Sequence, residues 1–127
     1  MDTFEDLKFW QAAYSLKNRI RNEVLILIPE KEKYELKSQL LRAARSATAN
    51  IAEGWGRFHF LDSRKFFFNS RGSLGEILDH LLEAKDCKYI SKELYVSIQE
   101  DCFTSLKILN GYIRYLTEKN NIPPKKH

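Results

Sequence analysis

Between Ala43 and Arg57 the chain reads Ala-Ala-Arg-Ser-Ala-Thr-Ala-Asn-Ile-Ala-Glu-Gly-Trp-Gly-Arg, with five alanines and a serine in its first ten positions. A helix made from these residues has almost no side-chain bulk on one side, so another backbone can lie very close to it. That is a packing surface before it is anything else. Gly54 and Gly56, on either side of Trp55, are expected to end the helix, because glycine takes up left-handed backbone angles without steric cost.

The rest of the chain reads as helices gathered about that segment. Leu7, Trp10, Ala13, Leu16, Ile20, Val24 and Leu27 recur every three or four residues, which predicts an amphipathic helix from Phe4 to Ile28. Tyr14 and Leu25 broaden its apolar stripe, and Lys8, Lys17, Arg19 and Arg21 occupy the other face. Pro29 stops it. A second helix is expected to start between Tyr34 and Ser38 and to run to Gly56, with Leu36, Leu40, Ala44, Ala47 and Ile51 inside. After the apolar connection Phe58-His59-Phe60-Leu61, Asp62 or Ser63 is a candidate N-cap for a third helix, with Phe67, Ser70, Leu74, Ile77, Leu81, Ala84 and Lys88 on its inner line. A second apolar line through Phe66, Leu78 and Leu82 suits a partner outside the bundle. Ser91 can cap a fourth helix, whose line is Leu94, Ile98, Cys102, Ser105, Leu109, Ile113 and Leu116.

The fold class is therefore all-α, an antiparallel up-down-up-down four-helix bundle over residues 1–119, followed by an extended basic tail, 120–127. Folding the second helix onto the third about His59 and Phe60 sets Ala47 against Gly72 and Ala44 against Gly75. Two glycines inside a helix cost about 1 kcal/mol each relative to alanine, and close backbone contact with the alanine face would offset it. On that placement Gly72→Leu unfolds or disassembles the protein.

Composition narrows the function. The N-terminus carries acids and lacks the pattern of a signal peptide, and the longest apolar run, residues 24–28, is far short of the roughly 20 residues that span a bilayer. No membrane partner and a cytoplasmic address are expected. Cys87 and Cys102 form neither a Cys-x-x-Cys pair nor a disulfide framework. Net charge is +4, with 21 bases among 17 acids, a mild bias towards polyanions. Ile77, not a glutamate, stands three positions before His80, no Glu-x-x-His, P-loop or nucleophile elbow is present, and so neither a catalytic residue nor a metal or other cofactor is expected.

Several segments resemble the rRNA-intervening-sequence proteins, encoded in insertions within bacterial large-subunit rRNA genes. They are Gln39, Arg42-Ala43-Ala44, Ser46, Ala49 to Gly54, Gly56-Arg57, and Gly72-Ser73-Leu74 with Glu76. Phe4, Leu7, Trp10, Ala13, Pro29, Glu32 and Tyr34 also fit. The resemblance implies a left-handed bundle that assembles as a ring, commonly a homopentamer, with no established enzymatic activity. A related member, the accessory factor of diversity-generating retroelements, implies RNA or single-stranded nucleic acid, and a reverse transcriptase, as partners. Glu35 and Lys37 depart from the family, which more often has glycine and a hydroxyl cap there.

Candidate nucleic-acid contacts are Arg42, Arg45, Arg57, Arg64, Lys65 and Arg71, on the second and third helices, with Trp55, Phe58, His59 and Phe60 available to stack on bases. Asn50 and Glu53 form either a ligand dyad or a structural pair, with Glu53 reaching Arg57 one turn on. They stand with Gly54, Gly72 and Gly75 as the structural motif of the packing surface. The rival to RNA binding is a protein-interaction scaffold whose charge serves only solubility.

Overall fold

The computed structural model describes residues 3–57 and 59–120, and these contain four α-helices and no strand. The helices are α1 (Lys8–Arg19), α2 (Leu36–Trp55), α3 (Phe60–Asp86) and α4 (Lys92–Lys119). The expected tail falls almost wholly outside the described residues, as does Phe58.

The first helix is shorter than its periodicity predicts. Thr3 caps a 3-10 turn, Phe4–Asp6, by accepting from Glu5 N. Leu7 is extended, and α1 then runs to Arg19, where a π-turn, Ile20–Val24, and a 3-10 turn, Leu25–Leu27, take over. The wider π-turn shifts the helical phase by one residue. Leu25 and Ile28 are buried in consequence, whereas Leu27, expected inside, is 49% exposed. Ile28 is extended, as the following proline requires.

In α2 the inner stripe is the expected one, with Leu36, Leu40, Ala44, Ala47 and Ile51 all buried. At its start Glu35 makes no side-chain cap, and Glu32 Oε1 accepts from Leu36 N instead. Its end differs from expectation: Gly56 is right-handed, with φ −74°, and Gly54 serves packing, its missing side chain making room for Phe67. The one left-handed residue described is Lys88, just past α3. That helix starts three or four residues early, with His59 as N-cap and neither Asp62 nor Ser63 in that position. Ser91 caps α4 by accepting from Leu94 N.

Packing is most extensive between α2 and α3, while α4 lies against α3 and α1, and α1 against α2. Contacting residues run in opposite senses along the two helices, as in Arg42 with Glu76, Ser46 with Ser73, and Gly54 with Phe67. The axial register about His59 is thus the expected one, but the rotation of α3 is not. Gly72 and Gly75 are exposed, and a Cβ added to either would meet nothing within 4 Å. The alanine face is met by serines: Ser70 Oγ donates to Ala47 O at 2.7 Å, and Ser73 Oγ to Ser46 Oγ at 2.9 Å. A hydroxyl that satisfies itself on the neighbouring main chain is as good as a glycine for close approach, and it spares the helix a glycine's entropy.

Leu16, Ile20, Leu40, Ile51, Leu74, Ile77, Leu81, Ile98 and Leu109 are all but inaccessible. Phe9 fills the end nearest the N-terminus, stacked on Tyr112 and edge-on to Phe67. No helix among the described residues is long and apolar enough to cross a membrane.

Candidate nucleic-acid interface

The six bases singled out in the sequence do not share one surface. Arg42 is tied to the Glu76 carboxylate and to Gln39, and Glu76 also takes His80 Nε2 at 3.1 Å. Arg71 is turned towards α4, donating to Asn110 Oδ1 at 3.0 Å and lying over the Phe68 ring, and burial pulls its pKa down. Arg57, Arg64 and Lys65 gather at the α2–α3 turn, over the rings of Phe66 and Phe60. Arg57 is neutralised in part by Glu53, 3.6 Å away. Asn50 is satisfied within α2 by Ser46 O and Ser46 Oγ. A cleft of about 260 Å³ opens at this end, lined among others by Trp55, Arg57, Phe60, Tyr112 and Lys119.

Arg45 lies on the opposite flank of α2, and there it meets bases that the sequence reading left on the outside of the first helix. Lys17, on α1, is near enough to Arg21 and Arg45 that their charges, together with burial as the larger cause, hold its ammonium pKa below the ordinary 10.5. Among the described residues no carboxylate lies within ion-pair distance of Lys17, Arg21 or Arg45. Cations from α1, the π-turn and α2 thus come near one another with no carboxylate paired to any of the three, a place suited to an anion. Arg19, one turn away, is spoken for: it donates to Glu23 and to Asp101 on α4, at 2.7 and 2.9 Å.

Aromatic rings continue the same line. Trp10 and Tyr14 are stacked with centroids 4.6 Å apart, Phe4 stands edge-on to Trp10, and Lys17 Nζ sits 4.1 Å from the Tyr14 centroid. A second row, Gln11, Ser15, Asn18 and Asn22, runs beside them and, with Trp10, Tyr14 and the paired Arg19 and Glu23, lines a groove of about 340 Å³ along α1, while Lys17, Arg21 and Arg45 stand outside its lining. Positions 10, 14, 17 and 21 are spaced four, three and four apart, so the line could have been found in the sequence. Its union with Arg45 could not. Among the described residues, no group of three His, Cys, Asp or Glu side chains is placed to hold a metal ion.

The family model of the 23S rRNA-intervening sequence protein matches residues 5–111, which takes in α1 to α3 and most of α4. The chain belongs to that family. Among solved structures, the family member is similar to a protein of unknown function from the S23 ribosomal protein family of Bacteroides thetaiotaomicron. The identity is 24% and the TM-score 0.76, over 84% of this chain and 95% of the other, a likeness of fold. No curated protein matches the chain.

Proposed function

We propose that this member of the 23S rRNA-intervening sequence protein family is a non-enzymatic bundle that binds RNA through the α1–α2 face and assembles with copies of itself. The observation that carries the RNA reading is the convergence of Lys17, Arg21 and Arg45 without a carboxylate, beside a stacked Trp10 and Tyr14. Such a cluster attracts phosphates, and exposed rings offer a surface on which unpaired bases can stack.

In this reading residues 1–119 fold as one left-handed up-down-up-down bundle in the cytoplasm, and five copies close a ring. What favours assembly is apolar surface away from the cations: Leu82 on α3 and Val96 and Phe103 on α4 are all exposed, at 40%, 37% and 52%. The scaffold reading, with a protein such as a reverse transcriptase as partner, draws on the same side chains.

Filter binding of a labelled structured RNA over a salt series separates the two. Three phosphate contacts per chain predict affinity that falls with salt with a log–log slope of roughly −2 to −3 for each chain engaged. The double variant Lys17→Glu with Arg45→Glu is expected to weaken binding more than tenfold. Wild-type protein that binds no RNA even at low salt removes the RNA reading and leaves the scaffold. Sedimentation across a concentration series tests assembly, and a monomer at every concentration refutes it.

A further inference from the structure

In the free protein the Tyr14 ring is occupied on both sides. Trp10 stacks on it at an interplanar angle of 23°, and the Lys17 ammonium lies over it. One ring face cannot hold both at these distances, so the two must sit on opposite faces. The two neighbours differ in how firmly they are held. Trp10 is partly buried and braced by Phe4, whereas Lys17 is a flexible stem whose charged end has, among the described residues, no partner but the ring. Of the two, Lys17 is the one that can leave, and it leaves readily for a phosphate, because Arg21 and Arg45 already crowd it with like charge.

We propose that the α1 face takes single-stranded RNA, one unpaired base seating against Tyr14 in the place that Lys17 vacates, beside the groove rather than inside it, with Lys17, Arg21 and Arg45 turned to the flanking phosphates. This rests on the RNA reading above and adds to it the class of RNA. A duplex presents only phosphates and groove edges, its base faces being hidden in the stack, and it could use the cations but not the ring. A single strand uses both. The row Gln11, Ser15, Asn18 and Asn22 lines the groove that Tyr14 borders, and its amides and hydroxyls are partners a ribose 2′-hydroxyl can bond, which favours RNA over DNA.

The test is fluorescence anisotropy of the full chain with three labelled probes of equal length: an unstructured oligoribonucleotide, its duplex with the complement, and the matching oligodeoxyribonucleotide. The single-stranded RNA is expected to bind at least tenfold tighter than the duplex and more tightly than the DNA. Tyr14→Ala should lose roughly tenfold for the single strand and nothing for the duplex, and Tyr14→Phe, which keeps the ring, should lose little. Arg45→Ala should weaken all three probes alike and make the salt dependence shallower. Circular dichroism of the Tyr14 variants checks the fold, and if Tyr14→Ala is unfolded the preference of the wild type for strand over duplex carries the test, a preference under tenfold overturning the seat at Tyr14. Equal affinity for strand and duplex, with Tyr14→Ala silent and Arg45→Ala weak, overturns the seat at Tyr14 and leaves RNA binding standing. DNA bound as tightly as RNA overturns the ribose preference. No binding of any probe at low salt overturns both this inference and the reading beneath it.

Discussion

Ser70 Oγ on α3 donates to the carbonyl oxygen of Ala47 on α2 at 2.7 Å, with both residues at 1% exposure or less. A side chain of one helix thus touches the main chain of the next, and only a residue as small as alanine allows it. Ser70→Leu is expected to force the helices apart and to cost about 3 kcal/mol, the upper end of overpacking. Ser70→Ala should cost only about 1 kcal/mol, since the carbonyl keeps its place in the helix. Urea unfolding of the two variants checks the contrast, and equal losses would show that the contact is not tight.

Gly72 and Gly75 make the opposite prediction to their buried neighbours. With open space where a Cβ would go, Gly72→Ala and Gly75→Ala should each raise stability by about 1 kcal/mol, the propensity difference in an exposed helix. The unfolding midpoint at low protein concentration measures it. A loss of stability in the isolated chain would mean that the glycines are covered after all.

For Gly54 the same substitution should destabilise. An added Cβ would lie 2.6 Å from Phe67 Cε1, and that ring is wedged by Phe9 and Tyr112 and cannot swing away. Overpacking of about 1–3 kcal/mol outweighs the gain in helix propensity. In a Phe67→Leu background the clash is relieved, so Gly54→Ala should turn neutral or stabilising there. A double-mutant cycle reads the coupling directly.

These three glycines mark how far the sequence could be read. Leu27 and Lys88, expected inside, are exposed where the helix shifts phase or has ended, but the number of helices and most of their buried stripes were legible, because apolar residues three and four apart define a face whatever it packs against. So was the axial register of α2 on α3, which a short turn dictates and which Arg42–Glu76 and Ser46–Ser73 display. The rotation of α3 was not, since Gly72 and Ser70 lie at nearly the same height but about 200° apart around the helix. Hydroxyl groups do not look like a close-contact signal until a carbonyl is seen beside them. The candidate surface was half legible for a similar reason. Trp10, Tyr14, Lys17 and Arg21 follow a helical line in the sequence, whereas the arrival of Arg45 depends on which flank of α2 meets α1.

Arg19 joins α1 to α4, and its bond to Glu23 holds that carboxyl below its ordinary 4.5, while Arg19 itself is raised by Glu23 and Asp101. A depressed carboxyl contributes stability that is complete above the ordinary value and is lost as pH falls through the lower, folded one. The loss therefore belongs below pH 4.5. Asp101→Asn should cost about 0.5–1 kcal/mol at pH 7, as exposed pairs do. Glu23→Gln should flatten the acid limb of the stability curve between pH 4.5 and pH 2, measured by urea unfolding at each pH. An unchanged limb would show that the pair is idle.

Cys102 and Cys87 should differ sharply towards thiol reagents. Cys102 Sγ is fully buried and donates to Leu74 O at 3.3 Å, and burial pushes its pKa up to about 12, so at pH 8 it is neither accessible nor ionised. Cys87 is exposed at the C-terminal cap of α3. Ellman's reagent on the native protein at pH 8 is expected to count one fast thiol per chain and a second only when guanidinium unfolds it. The slow thiol then reports opening of the α3–α4 contact, because the reagent reaches Cys102 only when Leu74 moves off it. Cys87→Ser should abolish the fast phase and leave the slow one, and a Cys102 that reacts as quickly in the native protein would mean that the core between α3 and α4 is open to solvent.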